Sequence, residues 1–524
     1  MALTLTVPAL EENPLIVAET RPRHVTQFVC DLPFGRPLEA AILMREEIEI
    51  LNRQKVGADA RFKAMEIYQP ALFNLKETLA IQYCNEPSPL SKHAKEFAAA
   101  AESLLLELSY GYKLALIDQQ NKLISLSSSK SKAILVQRAV EALGQLAMVY
   151  YQTYFSVPAS VWSDLHQLYF YAVQHELQDI NLASDSEDRI NTISLIYKQV
   201  LLLSLTYPQH LATSDMKFVV EYVKQYAHLA QLIDLAPLTN SAGVFLVRLN
   251  SKEPPVPYLK VAKQTNASSD ILLVTVELAR LLHDQMQMLQ TGNLSALTDL
   301  PDNPAGLRHL DLLTYLIKHW GISPQRGFNR EHKTDGIEVG IGLSAAHYLI
   351  NQEGQLGSEL DQKVTLPSEN KAANGLTSAI TSRWQVLNIS ATGLALRKLP
   401  NSAAAVRVGE LFAIKLGEAS HWSIGVLRWV NNNDKQQLDI GAELIAPEAQ
   451  SVRIRAVGLY EYEQALLLPE LPALNQAASI ITACGVYSPA REMDLNFSSK
   501  NSRIMLTKLI ERTNGFERFQ FSNV

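Results

Sequence analysis

The chain has 524 residues and a net charge of −6, with 47% hydrophobic and 19% charged residues. This is too long for one ordinary domain and too acidic for a main partner that is a bulk polyanion such as duplex DNA, although a small anion gripped by a few arginines stays allowed. The three cysteines, Cys30, Cys84 and Cys484, are far apart and out of metal spacing, which excludes a disulfide framework and reads as reduced thiols in a cytoplasmic protein.

Residues 1–30 are interrupted by Pro8, Pro14 and Pro22 and read as a flexible tail, and Met1–Leu10 lacks the basic stretch and apolar core of a signal peptide. Residues 31–322 read as an α-helical domain of roughly eight to ten helices. Ser88-Pro89 has the form of a helix opening, Ser as cap and Pro at the first helical position. The clearest periodicity predicts a helix over 215–234, where Met216, Val219, Val220, Val223, Tyr226, Ala227, Ala230 and Ile233 recur at i, i+3, i+4 spacing. Ser214 would cap it and Pro237 follows it. Gly243–Leu249 is the one strand-like segment here. Even Ile271–Leu282 is broken by Thr275, Glu277 and Arg280, short of the roughly 18 apolar residues of a membrane span.

After Trp320 the texture changes to short alternating runs. Ile337–Leu343 and Ala346–Ile350 are rich in strand formers. Residues 351–380 are polar and rich in Gly, Ser and Asn, and read as a long surface loop. Trp422–Val430 and Leu438–Leu444 alternate about a polar turn at Asn431–Lys435, the pattern of an antiparallel hairpin. Within 448–524, Ser479–Val486, Arg491–Phe497, Arg503–Leu509 and Phe516–Phe521 have strand length and suggest a second small β-module.

Two short motifs carry chemistry. Arg326-Gly-Phe-Asn-Arg330 is an RxxxR pair ahead of a strand, and Asn388-Ile-Ser390-Ala-Thr-Gly393 has the form (D/N)xSxxG at a strand–turn–strand junction. With Gly425-Val-Leu-Arg428-Trp429 and Ile440-Gly441-Ala-Glu443 after them, they resemble the PilZ domain family over residues 323–447. The resemblance implies a six-stranded antiparallel barrel that binds cyclic di-GMP, in a cytoplasmic receptor and not an enzyme. It also implies a protein partner in motility, pilus, adhesion or exopolysaccharide machinery. The fold class expected is therefore multidomain α + β: the helical N-terminal domain, the PilZ-like barrel with its 351–380 insertion, and the C-terminal β-rich extension 448–524.

The residue chemistry fits such a ligand. A guanidinium fork can bond the O6/N7 edge of guanine, grip a phosphate or stack on a base, so Arg326 and Arg330 could close over a dinucleotide from one side. Asn388 and Ser390 offer short donors and acceptors on the other, and Gly393 allows close backbone approach or a positive φ. Arg428, Arg383 and Trp429 are auxiliary candidates. Two departures stand out: the motifs are farther apart than usual because of 351–380, and Asn388 keeps the acceptor of the usual Asp but loses its charge. The alternative is a ligand-independent scaffold with a degenerate barrel. A third reading, an enzyme in the helical domain regulated by the barrel, has no motif behind it.

Other matches are set aside. Glu141-Ala142-Leu143 spells the tripeptide of cyclic di-GMP phosphodiesterases, but it lies in an apolar helical run without the carboxylate cluster that two-metal hydrolysis needs. Ser129-Lys130-Ser131-Lys132 offers an SxxK match in what reads as a solvated loop, without its companion motifs. The twelve histidines show no metal spacing, so no metal is expected, and His228 and His283 read as surface or satisfied residues.

Overall fold

The computed structural model describes residues 3–121, 128–183, 190–236, 238, 241–261, 265–291, 307–321, 336–360, 381–390, 392–400, 402, 404–416, 421–433, 437–472, 475–497 and 500–524. The chain divides into two compact units. One comprises Met1–Glu86, Leu90–Pro208 and Thr213–Gln325; the other comprises Arg326–Val524 with Pro87–Pro89 and Gln209–Ala212.

The first unit opens with α1 (Pro22–Asp31), α2 (Pro37–Arg53), α3 (Ala58–Ala80), α4 (Lys92–Gln120), α5 (Ser129–Gln152), α6 (Ala159–Gln174), α7 (Ile193–Leu205) and α8 (Thr213–Tyr226). Pro22 and Pro37 begin α1 and α2, where a missing N–H costs nothing. Buried Leu104, Leu105, Leu108 and Tyr112 make α4 the centre of a bundle with α2, α3 and α5. Then come β1 (Gln231–Asp234), β2 (Val244–Arg248), β3 (Val256–Pro257) and β4 (Asp270–Val274), followed by α9 (Val276–Gln290) and α10 (Leu307–Gly321). The four strands form one sheet in the order β1-β4-β2-β3.

Several expectations for this unit change. The 1–30 segment is tied down: the Thr6 N–H donates to Asp164 Oδ1 at 3.0 Å, Thr4 N–H to Gln167 Oε1 at 3.0 Å, and Ala18 N–H to Gln54 Oε1 at 2.9 Å. Asp164 also pairs with Lys113 at 2.7 Å, with the two side chains 2% and 1% exposed. The fourth helix opens after Ser91, whose Oγ accepts from Ala94 N–H at 3.2 Å, and not at Ser88-Pro89. Ser128 caps α5 in the same way, so Ser129–Lys132 is a helical first turn and not a loop. The helix expected over 215–234 ends at Tyr226, and 231–234 becomes a strand because pairing with β4 outweighs the helical periodicity of Ala230 and Ile233. Glu141 is absorbed into structure, accepting from Gln69 Nε2 at 3.1 Å and pairing with Arg138.

The second unit contains β5 (Gly336–Ile341), α11 (Leu343–Leu360), β6 (Thr381–Ile389), β7 (Gly393–Lys398), β8 (Leu411–Lys415), β9 (Ser423–Asn432) and β10 (Leu438–Ala446). The strands close into an antiparallel barrel in the order β10-β7-β6-β5-β8-β9. A second closed barrel, β11-β12-β13-β16-β15-β14, is built from β11 (Gln450–Ala456), β12 (Glu463–Leu468), β13 (Ser479–Thr482), β14 (Glu492–Phe497), β15 (Lys500–Arg512) and β16 (Glu517–Asn523). The strand expected at 346–350 and the start of the loop expected at 351–380 are instead helix α11. Its Ala346, Leu349 and Ile350 share one buried cluster with Leu411, Ile424 and Val426 of the first barrel and Leu466, Ile481 and Phe516 of the second. A helix buried on two sides reads as a short apolar run, which periodicity alone does not separate from a strand.

Candidate functional site

Alternation along β6, β7, β9 and β10 buries Trp384, Val386, Leu394, Leu396, Ile424, Val426 and Ile440 in the barrel and leaves the intervening side chains outside. Two of the three register shifts in these strands break that alternation near the turn. Val386 pairs with Leu396 but Asn388 with Ala395, so Leu387 is an extra residue on β6. On β9, Leu427 pairs with Ala442 and Trp429 with Gly441, so Arg428 is extra. A β-bulge re-aims the side chains around it, and these two flank one cavity of about 210 Å³.

The cavity collects Asn388, Ser390 and Gly393 from the turn, Arg428 and Trp429 from β9, and Glu443 from β10. Ser390 shapes the turn: its N–H donates to Gly393 O at 2.7 Å and its Oγ–H to the same oxygen at 3.1 Å. A Cβ at position 393 would stand 2.8 Å from the Ala442 carbonyl oxygen, so glycine is required by close approach and not by a positive φ. At Gly441 a Cβ would overlap Trp429 Nε1, so the indole lies flat over the next strand and walls the cavity. Among the described residues the Asn388 amide has no hydrogen-bond partner and is half-buried, available to a ligand.

Arg428 does not hang free. Its Nε donates to Glu443 Oε2 at 2.6 Å and its Nη1 to Glu511 Oε1 on β15 at 2.5 Å. Burial works against the charge, but the two carboxylates outweigh it and hold the guanidinium above its ordinary pKa. Nearby Arg518 is shifted the opposite way by burial, with Glu511 and Glu443 opposing the shift. Arg383, opposite Glu338 on β5, is exposed and does not line the cavity. Arg326 and Arg330 lie outside the described residues. Glu443, Gly441 and Glu511 were not among the site residues expected. The first two sit in the Ile-Gly-Ala-Glu strand, where a bulge could have been suspected, whereas Glu511 has no local signal.

No group of His, Cys, Asp and Glu among the described residues could hold a metal ion, and no described helix is long and apolar enough to cross a membrane.

Family models match along the chain: that described as Cyclic-di-GMP receptor FimW, N-terminal domain, over 23–237; Cyclic-di-GMP receptor FimW, middle PilZ domain, over 244–385 and 363–451; and FimW C-terminal beta-barrel domain over 451–524. Among curated proteins, the Cyclic-di-GMP receptor FimW of Pseudomonas aeruginosa is 22% identical over 574 residues, covering 99% of this chain and 93% of that one. No solved structure matches. The closed barrel of β5–β10, its Asn-x-Ser-x-x-Gly turn and the middle-domain match agree: the chain carries a PilZ domain, flanked in sequence by a helical region and a second β-barrel.

Proposed function

We propose that this protein is a cytoplasmic cyclic di-GMP receptor that passes the level of that second messenger to a protein partner through its helical domain. The observation that carries the reading is the cavity, which brings Asn388, Ser390, Gly393, Arg428 and Trp429 together on strand ends of a PilZ barrel. In this reading Asn388 and Ser390 meet a guanine edge or a phosphate, and Trp429 offers a face for stacking. Arg326 and Arg330 supply the guanidinium pair from the chain ahead of β5. Similarity to a protein named as a cyclic di-GMP receptor over nearly the whole chain supports the ligand. No covalent step is invoked. The switch is driven by unequal affinity of the ligand for two arrangements of the protein.

One observation favours the second reading, a ligand-independent scaffold: Glu443 lines the cavity and, with Glu511, already occupies Arg428. Isothermal titration of the full chain with cyclic di-GMP decides between them. The receptor reading expects saturable heat in the wild type that is lost in Arg326→Ala and Arg330→Ala and weakened in Asn388→Ala. A wild type that gives no heat leaves the scaffold.

A further inference from the structure

The first unit holds a larger cavity, of about 730 Å³, between the ends of α6 and α7 and the β1–β4 pair. All four residues of β1, Gln231 to Asp234, line it. Asp270 and Ile271 of β4 line it as well, so the cavity runs along the β1–β4 pair and takes in the full length of β1. The sheet order places β1 at an edge, paired with β4 alone among the described residues. Alternate residues of an antiparallel edge strand direct N–H and C=O away from the sheet, unpaired. The edge contains neither proline nor lysine, the usual guards, and exposes Ile233.

The charge of the cavity comes from β1 itself and from the segment after α6. Asp179 and Asp234 both bear on the Tyr169 hydroxyl. That group is pushed up to about 12, by burial first and then by these carboxylates, against a lowering hydrogen bond from Ser194. Neither aspartate has an ion-pair partner at salt-bridge distance among the described residues. Lys198, the cation lining the cavity, spends its ammonium on the Ala230 carbonyl at 2.8 Å. What remains, among the described residues, is a hydrogen-bonding edge beside Asp234, which has no cation partner, and Asp179, which acts on Lys198 through space.

We propose that this edge is a docking site for an extended segment of a partner protein, which adds as a strand to β1 and presents a lysine or arginine to Asp179 and Asp234. Backbone pairing gives such a complex its affinity, and the aspartates select the basic side chain while repelling acidic strands. All the lining residues belong to the first unit, so the inference does not depend on the ligand of the barrel.

The test selects a phage-displayed library of random decapeptides against the immobilised full chain and measures the enriched peptides by fluorescence anisotropy. The expected peptides alternate strand-forming residues around a lysine or arginine. Asp179→Asn/Asp234→Asn should weaken them about tenfold, the loss of two exposed ion pairs. N-methylation of alternate peptide amides should abolish binding. Both aspartates are exposed, so the double variant should melt with the wild type. Failure to enrich any peptide overturns the proposal, as does enrichment of peptides that lack a basic residue or survive both perturbations.

Discussion

Replacing Arg428 with alanine should loosen the junction between the two barrels. The guanidinium makes two charge-assisted bonds, to Glu443 at 2.6 Å and Glu511 at 2.5 Å, and the three side chains are 35%, 48% and 20% exposed. The Glu443 bond is screened by water and falls within the range of about 0–1 kcal/mol for surface pairs. The Glu511 bond is better shielded, and its loss leaves a mostly buried carboxylate beside Arg518. Together the cost is about 1–2 kcal/mol. For a cooperative unit of this size that lowers the melting temperature by about 2–8 °C. Differential scanning calorimetry of the full chain measures the shift. Combining Arg428→Ala with Glu511→Gln in a double-mutant cycle isolates the pair, with an expected coupling of about 1 kcal/mol. Glu511→Gln should also release the guanidinium toward the cavity and tighten cyclic di-GMP by about three- to tenfold, roughly one charge-assisted bond shared with solvent. Strictly additive single-mutant effects would refute the ion-pair argument. Unchanged or weaker binding in Glu511→Gln would refute the link between the pair and the cavity.

Gly393→Ala should cost about 1–3 kcal/mol, because its Cβ meets a backbone oxygen that the barrel ladder holds in place; equilibrium urea unfolding reads this as a lower midpoint at constant m-value. Lys113→Met strands Asp164 without its cation at 2% exposure and should cost about 3–5 kcal/mol, roughly half of which Asp164→Asn should restore while keeping the acceptor for Thr6. His166 accepts from Tyr197 OH at 2.6 Å and donates to Glu253 O at 2.8 Å, and burial lowers its pKa to about 4. It stays neutral while the unfolded chain protonates near 6.5. Its contribution is therefore whole above that pH and shrinks as the pH falls toward the folded value, by about 3 kcal/mol in total. Thermal melts between pH 7 and 4.5 should show a shallower decline in His166→Asn.

The barrel was legible because its signals are short-range. The alternation of Trp422–Val430 and Leu438–Leu444 about a polar turn became β9 and β10, and the Asn388–Gly393 spacing became the cavity turn. The stretches that misled are those where long-range partners decide. Ala346–Ile350 is helical because two barrels bury it, and Gln231–Asp234 leaves a helical pattern because β4 lies beside it. The clamp on Arg428 could not be read, since Glu511 is distant in sequence and the bulge that turns Arg428 outward shows only in the register. The second barrel was expected as a small β-module from four of its strands, while β11 and β12 went unnoticed because Glu463–Leu468 and Gln450–Ala456 alternate weakly.

The indole laid over Gly441 gives the protein an optical probe of its own. Of the five tryptophans, Trp162, Trp320, Trp384 and Trp422 are between 0% and 7% exposed, and Trp429 alone is half-buried. A collisional quencher such as iodide therefore reaches one fluorophore in the native chain, and that fluorophore stands on the cavity rim. Occupation of the rim shields it, and emission reports binding without any attached dye.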